Sequence, residues 1–501
     1  MEKANGEWRS DEGGCTRRAF LRATGFGIAA VAAGRGGLVR AAEAGKDRPN
    51  VVICIADDQG WRDAGCYGNP DVKTPNIDRI AAEGMRFDRA FTATAMCAPT
   101  RQQLYTGVFP VRNGAYPNHS RVHAGTRSIV HHLTALGYRV GLAGKRHFGP
   151  RESFPFEKVS PKDVGGFITS DKHQPFCLVY TSHSPHLPWS AGDSTAYDPA
   201  ALTLTPDMID TPQLRAALCK YYAEITAFDG EVGAVLAAIK SAGVDANTMF
   251  ICTSEQGPPF LHGKWTCYEG GLHVGFVVRW PARVRAGSVA RAMVQYVDVA
   301  PTLVQAAGGD PKKIDTGRRG APDGGRGFDG RSFLAVLEGK TDTHNEYVYG
   351  VHTTRGIIDG SECYPIRSIR SETHKYIRNL NHKTAFRNIL QRASSADSYW
   401  VSWVEKARTD PAAAKLVGLY VNRPAEELYD LTKDPYELNN LADDPGAAKV
   451  KADLRKRLDA WMVQQGDKGN ETEMLAKTRQ ARGKAKPKKK AGKKRAAKKK
   501  P

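Results

Sequence analysis

Four short apolar runs in this chain each stop on polar, titratable residues, and that pattern limits the fold more than any other feature. Val51-Val52-Ile53-Cys54-Ile55 runs into Ala56-Asp57-Asp58-Gln59-Gly60. Arg139 to Ala143 runs into Gly144-Lys145-Arg146-His147, and Pro175-Phe176-Cys177-Leu178-Val179-Tyr180 into Thr181-Ser182-His183-Ser184-Pro185-His186. Met249-Phe250-Ile251-Cys252 ends in Thr253-Ser254-Glu255-Gln256-Gly257, and Val274 to Trp280 is a fifth run. Continuous apolar runs this short suit strands buried on both faces. Helical patterns lie between them. Thr74-Pro75-Asn76 opens one that reaches Ala82 and stops at Gly84, and apolar residues from Leu214 to Ile239 recur at helical spacing before Gly243. This alternation predicts an α/β fold with a large, mostly parallel sheet flanked by helices. Ligands of such sheets bind beyond the carboxyl ends of the strands, where four of these runs deliver their polar residues.

The length of 501 residues allows one large domain and a smaller one. Gly308 to Gly330 reads as a surface loop before a short helix near Ser332 to Glu338. From Tyr347 to Asn379 the extended segments Ile366-Arg367-Ser368-Ile369-Arg370 and Lys375-Tyr376-Ile377 look antiparallel, and a last helix spans Ala447 to Gln465. The formal charge of +20 lies mostly in the stretch from Lys477 to Pro501, which holds 14 Lys and Arg and no acid. Such a Lys/Ala/Pro tail is expected to be disordered and suited to a polyanion: a cell-surface polymer, nucleic acid or an anionic membrane. The nine cysteines form no CxxC pair and no zinc-ligand spacing, and Cys54, Cys177 and Cys252 sit inside strand runs as small core residues.

Cys97-Ala98-Pro99-Thr100-Arg101, followed by Gln102-Gln103-Leu104-Tyr105-Thr106-Gly107, concentrates chemistry. Pro99 fits the first turn of a helix, the thiol is expected just ahead of that turn near free backbone donors, and Arg101 adds a cation. Asp57-Asp58 and Glu255-Gln256 offer oxygen donors at two strand ends. Oxygen ligation without His or Cys favours Ca²⁺ or Mg²⁺ over zinc.

Cys97-x-Pro99-Thr100-Arg101 with Thr106-Gly107 resembles the signature of the sulfatase family, in the alkaline-phosphatase-like superfamily. The resemblance spans Pro49 to Gly308 and, with weaker motifs, Tyr347 to Leu441. It is nearest to heparan N-sulfatase-like (N-sulfoglucosamine sulfohydrolase-like) members through Cys97-Ala98-Pro99-Thr100-Arg101-Gln102-Gln103, the Ser184-Pro185-His186 turn and Lys264, eight residues after Gln256. It implies that a maturation enzyme oxidises Cys97 to formylglycine, whose hydrate is the nucleophile. It implies one Ca²⁺, or Mg²⁺, bound by Asp57, Asp58, residue 97, Glu255 and Gln256. The family's second ligand pair is Asp-Asn; here each side chain is one methylene longer. Lys145 and Lys264 would bind sulfate oxygens, and Arg101 the hydrate. His147, in the Gly-Lys-x-His segment, would be the base that restores the aldehyde, and His186 would protonate the leaving group. His352 and Arg370, in the second domain, are expected to read a sugar.

The expected activity is hydrolysis of sulfate esters or sulfamates on aminosugars or polysaccharides. Two alternatives stand beside it: a phosphate or phosphonate monoester hydrolase of the same superfold, and a non-catalytic polysaccharide-binding homologue. Thr16-Arg17-Arg18-Ala19-Phe20-Leu21-Arg22, a modest apolar run from Phe26 to Ala33 and Ala42-Glu43-Ala44 resemble a twin-arginine signal cleaved after Ala44, which implies a periplasmic or extracellular protein. The expected divisions are a signal peptide over 1–44, a catalytic domain over 45–340, an α+β subdomain over 341–470 and a disordered tail over 471–501. No apolar run long enough to span a membrane follows the signal.

Overall fold

A computed structural model describes residues 48–392 and 398–480. The expected signal peptide and the Lys-rich stretch after 480 lie outside these residues. Nine strands build the main sheet: β1 (Asn50–Ala56), β2 (Met85–Phe91), β3 (Arg139–Gly144), β4 (Glu157–Val159), β5 (Phe176–Thr181), β6 (Thr248–Ser254), β7 (His273–Arg279), β8 (Ser288–Ala290) and β9 (Val294–Gln295). They are ordered β4-β3-β5-β1-β6-β7-β2-β8, with β9 also on β2. From β4 to β6 every pairing is parallel, whereas β7 runs antiparallel to both its neighbours. The fifth apolar run is therefore a strand as expected, but it is the one that reverses the sheet's direction.

β1 lies between β5 and β6, and its alternate side chains enter two cores. Val51, Ile53 and Ile55 face one, Val52, Cys54 and Ala56 the other, all with at most 1% exposure. That is why the run is continuously apolar rather than alternating. Helix α1 (Pro75–Ala82) and the long helix α2 (Pro212–Ser241) pack on the second core through Ile77, Ile80, Phe228, Val232 and Ile239. The eight described cysteines are free, and Cys54, Cys177 and Cys252 are core residues.

Four further strands, β10 (Val348–His352), β11 (Ile366–Arg370), β12 (His374–Asn379) and β13 (Glu426–Asp430), form a separate antiparallel sheet. Helix α3 (Ala448–Gln464) covers it through Leu454, Leu458, Trp461 and Met462. Helix α4 (Asn470–Arg479) buries Thr472, Glu473 and Ala476, so ordered chain continues past residue 471, the expected start of the tail. Glu473 explains this: its Oε1 accepts from the backbone and side chain of Thr354, beside β10. Both sheets belong to one compact unit that begins at Pro49.

Candidate active site

The order β3-β5-β1-β6 sets four strand ends side by side. Short backbone bonds lock them: Asp57 N donates to Ser184 O, Glu255 N to Ala56 O, and Lys145 N to Thr181 O, at 3.0–3.1 Å. Gly144 permits the β3–β5 approach, because a Cβ there would sit 2.0 Å from the Thr181 carbonyl oxygen. Four residues of this region, Asp58, His119, His147 and Trp265, hold positive φ without being glycine. Left-handed backbone of this kind is costly and gathers where function dictates geometry.

Residues Cys97–Thr106 form a helix buried along its whole length, and it starts at Cys97, so the thiol lies within the first turn rather than ahead of it. Its polar residues fasten loops instead of meeting water. Gln102 donates to Ser120 O and accepts from the backbone N–H of Val122 and Gly149, holding the loops that carry His119 and His147. Gln103 accepts from Ala93 N. Arg101 pairs through Nε with Glu255 at 2.5 Å, while its buried Nη2 has no partner.

One ligand atom each from Asp57, Asp58, Cys97 and Glu255 lies within 4.8 Å of the others, all buried. Gln256 Nε2 donates to Asp58 Oδ1 at 2.6 Å and lies 3.5 Å from Cys97 Sγ, and its Oε1 is buried without a partner. Lys264 Nζ reaches Asp58 at 2.6 Å, and Lys145 Nζ is paired with Asp57. Burial and the adjacent Glu255 carboxylate push the Asp57 acid well above its ordinary range. Burial also opposes ionisation of Glu255, but Arg101 and Lys145 overcome it and hold that carboxyl well below the usual range. Three buried carboxyl groups and an orphaned amide oxygen in one place fit a hard divalent cation.

The two expected proton carriers are tuned in opposite senses. Burial, reinforced by Lys145, lowers His147 to about 4, which keeps it neutral. Its Nε2 meets His119 Nδ1 at 2.8 Å. Burial opposes the charge of His186, but its hydrogen bond with Cys97 and the Asp58 and Asp57 carboxylates outweigh that and raise it to about 9. His186 Nδ1 bonds Leu187 O at 2.5 Å, which leaves Nε2 facing Asp58 Oδ2 at 3.8 Å. Glu224 of α2 fixes this turn, accepting from Ser184 Oγ and from the backbone N–H of Ser190 and Ala191, each at 2.5 Å.

These side chains open on a cavity of about 870 Å³ whose lining includes Asp57, Asp58, Cys97, Lys145, His147, His183, His186 and Lys264. The expected sugar readers are elsewhere. His352 is fully buried against Phe386, and burial, with Arg423 and Arg367 nearby, drives it well below its ordinary range. Arg370 is spent inside the fold on Glu269, at 3.2 Å, and on the face of Phe91. Neither lines the cavity, because both side chains point into the protein interior from their strands. His119, Asn118 and Glu224 line it and carry no signal at sequence level: His119 follows no apolar run, and Glu224 sits in an ordinary amphipathic helix.

The description "Sulfatase" fits residues 49–167 and 159–309 as a family, and "N-sulphoglucosamine sulphohydrolase, C-terminal" fits 260–391. The chain is 35% identical over 437 residues to an ulvan-active sulfatase of Formosa agariphila, covering 84% of this chain and 81% of that one. It is 28% identical to the human N-sulphoglucosamine sulphohydrolase, covering 83% and 90%. A structure in complex with its substrate D-glucosamine-2-N,6-O-disulfate superposes with a TM-score of 0.63 at 21% identity, over 84% of this chain and 99% of that one. The phosphonate monoester hydrolase of Agrobacterium radiobacter shares the fold to the same degree, with a TM-score of 0.62 at 20% identity over 83% and 96%.

Proposed function

The chain belongs to the sulfatase family of sulfuric ester hydrolases, and from that premise we propose that it removes sulfate from sulfated saccharides, as esters or sulfamates. In this reading Cys97 is converted to formylglycine by a maturation enzyme, and Asp57, Asp58, residue 97, Glu255 and Gln256 would hold one Ca²⁺, with Mg²⁺ as the substitute. The observation that carries it is the convergence of four ligand atoms, from Asp57, Asp58, Cys97 and Glu255, within 4.8 Å. The sulfated-sugar activity named for two relatives supports the saccharide class.

The cation would supply Lewis-acid charge at the sulfuryl oxygens, and the hydrated aldehyde a nucleophile with a second hydroxyl, which a thiol lacks. The rest is done by side chains of this chain. Lys145 and Lys264 neutralise sulfuryl oxygens as point charges while remaining tethered to Asp57 and Asp58. The free Nη2 of Arg101 is the donor left over for an oxygen at position 97. His186, held protonated, gives its Nε2 proton to the departing alcohol or amine. His147, held neutral, takes the proton whose loss expels sulfate. A screen of natively matured protein on defined sulfated saccharides and an aryl sulfate, with and without a chelator, tests this. Turnover that the chelator abolishes and Ca²⁺ restores is expected; turnover of aryl phosphate but not aryl sulfate would instead favour the phosphomonoesterase alternative.

Export by a twin-arginine signal and attachment of the basic tail to a polyanion complete the proposal. Among the described residues no helix is long and apolar enough to cross a membrane. Cell fractionation after replacing Arg17 and Arg18 by Lys tests the first, and heparin retention of protein lacking 481–501 tests the second. Continued export, or unaltered retention, would count against them.

A further inference from the structure

The cavity changes character with depth. At its floor the two lysines are committed: Lys264, 2% exposed, binds Asp58 at 2.6 Å, and Lys145 binds Asp57. Beside the polar lining residues Asn118, His119, His183, Ser190 and Glu224, one side of the cavity is apolar, and its side chains Trp265, Leu187, Ile357 and Ile389 belong to a hydrophobic cluster separate from the cores under the sheets. Met96, Trp265 and Leu390 are its buried members, and Leu187, Ile357 and Ile389 pack on them. Three of these residues adjoin reacting groups in the chain: Met96 precedes Cys97, Trp265 follows Lys264, and Leu187 follows His186. Trp265 is held there in a left-handed conformation, with φ of 66°. At the mouth, Ile358 is 60% exposed, among the few large apolar side chains left open to solvent in the described residues. Among the described lining residues Lys145 and Lys264 are the lysines and arginines, and both are engaged at the floor.

A sulfate in such a cavity meets lysine charge only at its reacting end. The group that carries it lies against Trp265, Leu187, Ile357, Ile358 and Ile389, side chains that stabilise a ring face and offer a second anion no counter-charge, the unpartnered indole N–H of Trp265 being their one polar donor. A sulfate or carboxylate pressed onto that wall would lose its hydration without a partner in return. We propose that this collar selects the leaving group: a ring with an uncharged, apolar face next to the scissile sulfate, and so a singly sulfated residue rather than one bearing a second anion on that face. The proposal rests on the sulfatase reading and narrows it to a substrate class.

Binding and turnover can be read apart. With Cys97→Ala protein in Ca²⁺ buffer, calorimetric titrations compare 2-naphthyl sulfate, the same compound with a 6-sulfonate, and inorganic sulfate. The plain naphthyl ester is expected to bind at least about tenfold more tightly than the sulfonated one. Equal or tighter binding of the sulfonated ester overturns the proposal. Replacing Ile357 and Ile358 together by Ser is expected to weaken naphthyl sulfate several-fold more than inorganic sulfate; an equal loss for both ligands removes the collar as the cause. Turnover of the two esters by matured protein is the separate arm. Failure to hydrolyse either, with the binding preference intact, counts against the sulfatase reading and not against the collar.

Discussion

At the scale of single residues, the site is a problem of competing charges in a dry pocket. Asp57, Asp58 and Glu255 are buried together, and each is answered by a cation of the chain: Lys145, Lys264 and Arg101 in turn. The two histidines are driven apart: burial, with Lys145, lowers His147 to about 4, while the hydrogen bond with Cys97 and the Asp58 and Asp57 carboxylates raise His186 to about 9 against its own burial. A base works only when neutral and an acid only when protonated. kcat/KM should therefore fall on the acid side as His147 protonates near pH 4 and on the alkaline side as His186 deprotonates. In the proposed mature site residue 97 is no longer the thiol that helps to raise His186, and a divalent cation on Asp57 and Asp58 would cancel part of their field, so the alkaline limb is expected below about pH 9. His186→Asn should lower the plateau and remove the alkaline limb while leaving the acid limb in place. An alkaline limb that persists in that variant assigns the acid to another group.

At the scale of elements, the long helix α2 reaches from the sheet's second core to the turn that carries His186. Glu224 bonds Ser184, Ser190 and Ala191 from one carboxylate, so the helix sets where His186 points. Glu224→Ala should slow cleavage of alkyl sulfates on the order of 10- to 100-fold, yet change 4-nitrophenyl sulfate by less than about threefold, because a good leaving group needs little protonation. Glu224→Gln, which keeps an acceptor for the two N–H groups, should recover most of the loss. Equal losses on both substrates would make Glu224 a structural residue only. Such a role was not legible in the sequence, where Glu224 is one polar position in a helical repeat. The strand ends were legible, because an apolar run that stops abruptly on Asp-Asp or Glu-Gln marks both a buried strand and what lies beyond it. Direction was not: β7 is as apolar as β6 but antiparallel to it, since burial on two faces constrains composition and not polarity. His352 and Arg370 failed for a related reason. A polar residue in a strand can be bought off inside the fold, as Arg370 is by Glu269.

At the scale of the whole molecule, the second sheet is held by charge as well as by its apolar face. Arg367 of β11 and Asp467, in the segment between α3 and α4, form an ion pair with both side chains fully buried, and Arg367 Nη2 meets Asp467 Oδ1 at 3.0 Å. Asp467→Ala leaves that guanidinium buried without a counter-charge, with only the His352 and Ile366 carbonyls to accept from it, and should cost about 3–5 kcal/mol in denaturant unfolding. A loss below about 1 kcal/mol would mean that the pair is as weak as a surface one. Ile357 and Ile358, in the segment between β10 and β11 of the second sheet, line the same cavity as the strand ends of the first. Every step of the proposed chemistry depends on residue 97 having ceased to be a thiol. Mass spectrometry of the peptide that carries position 97, from protein matured in its own cell and active on an aryl sulfate, measures this directly. The account predicts the mass of an aldehyde, or its hydrate, in place of the thiol; an intact cysteine in fully active protein would contradict it.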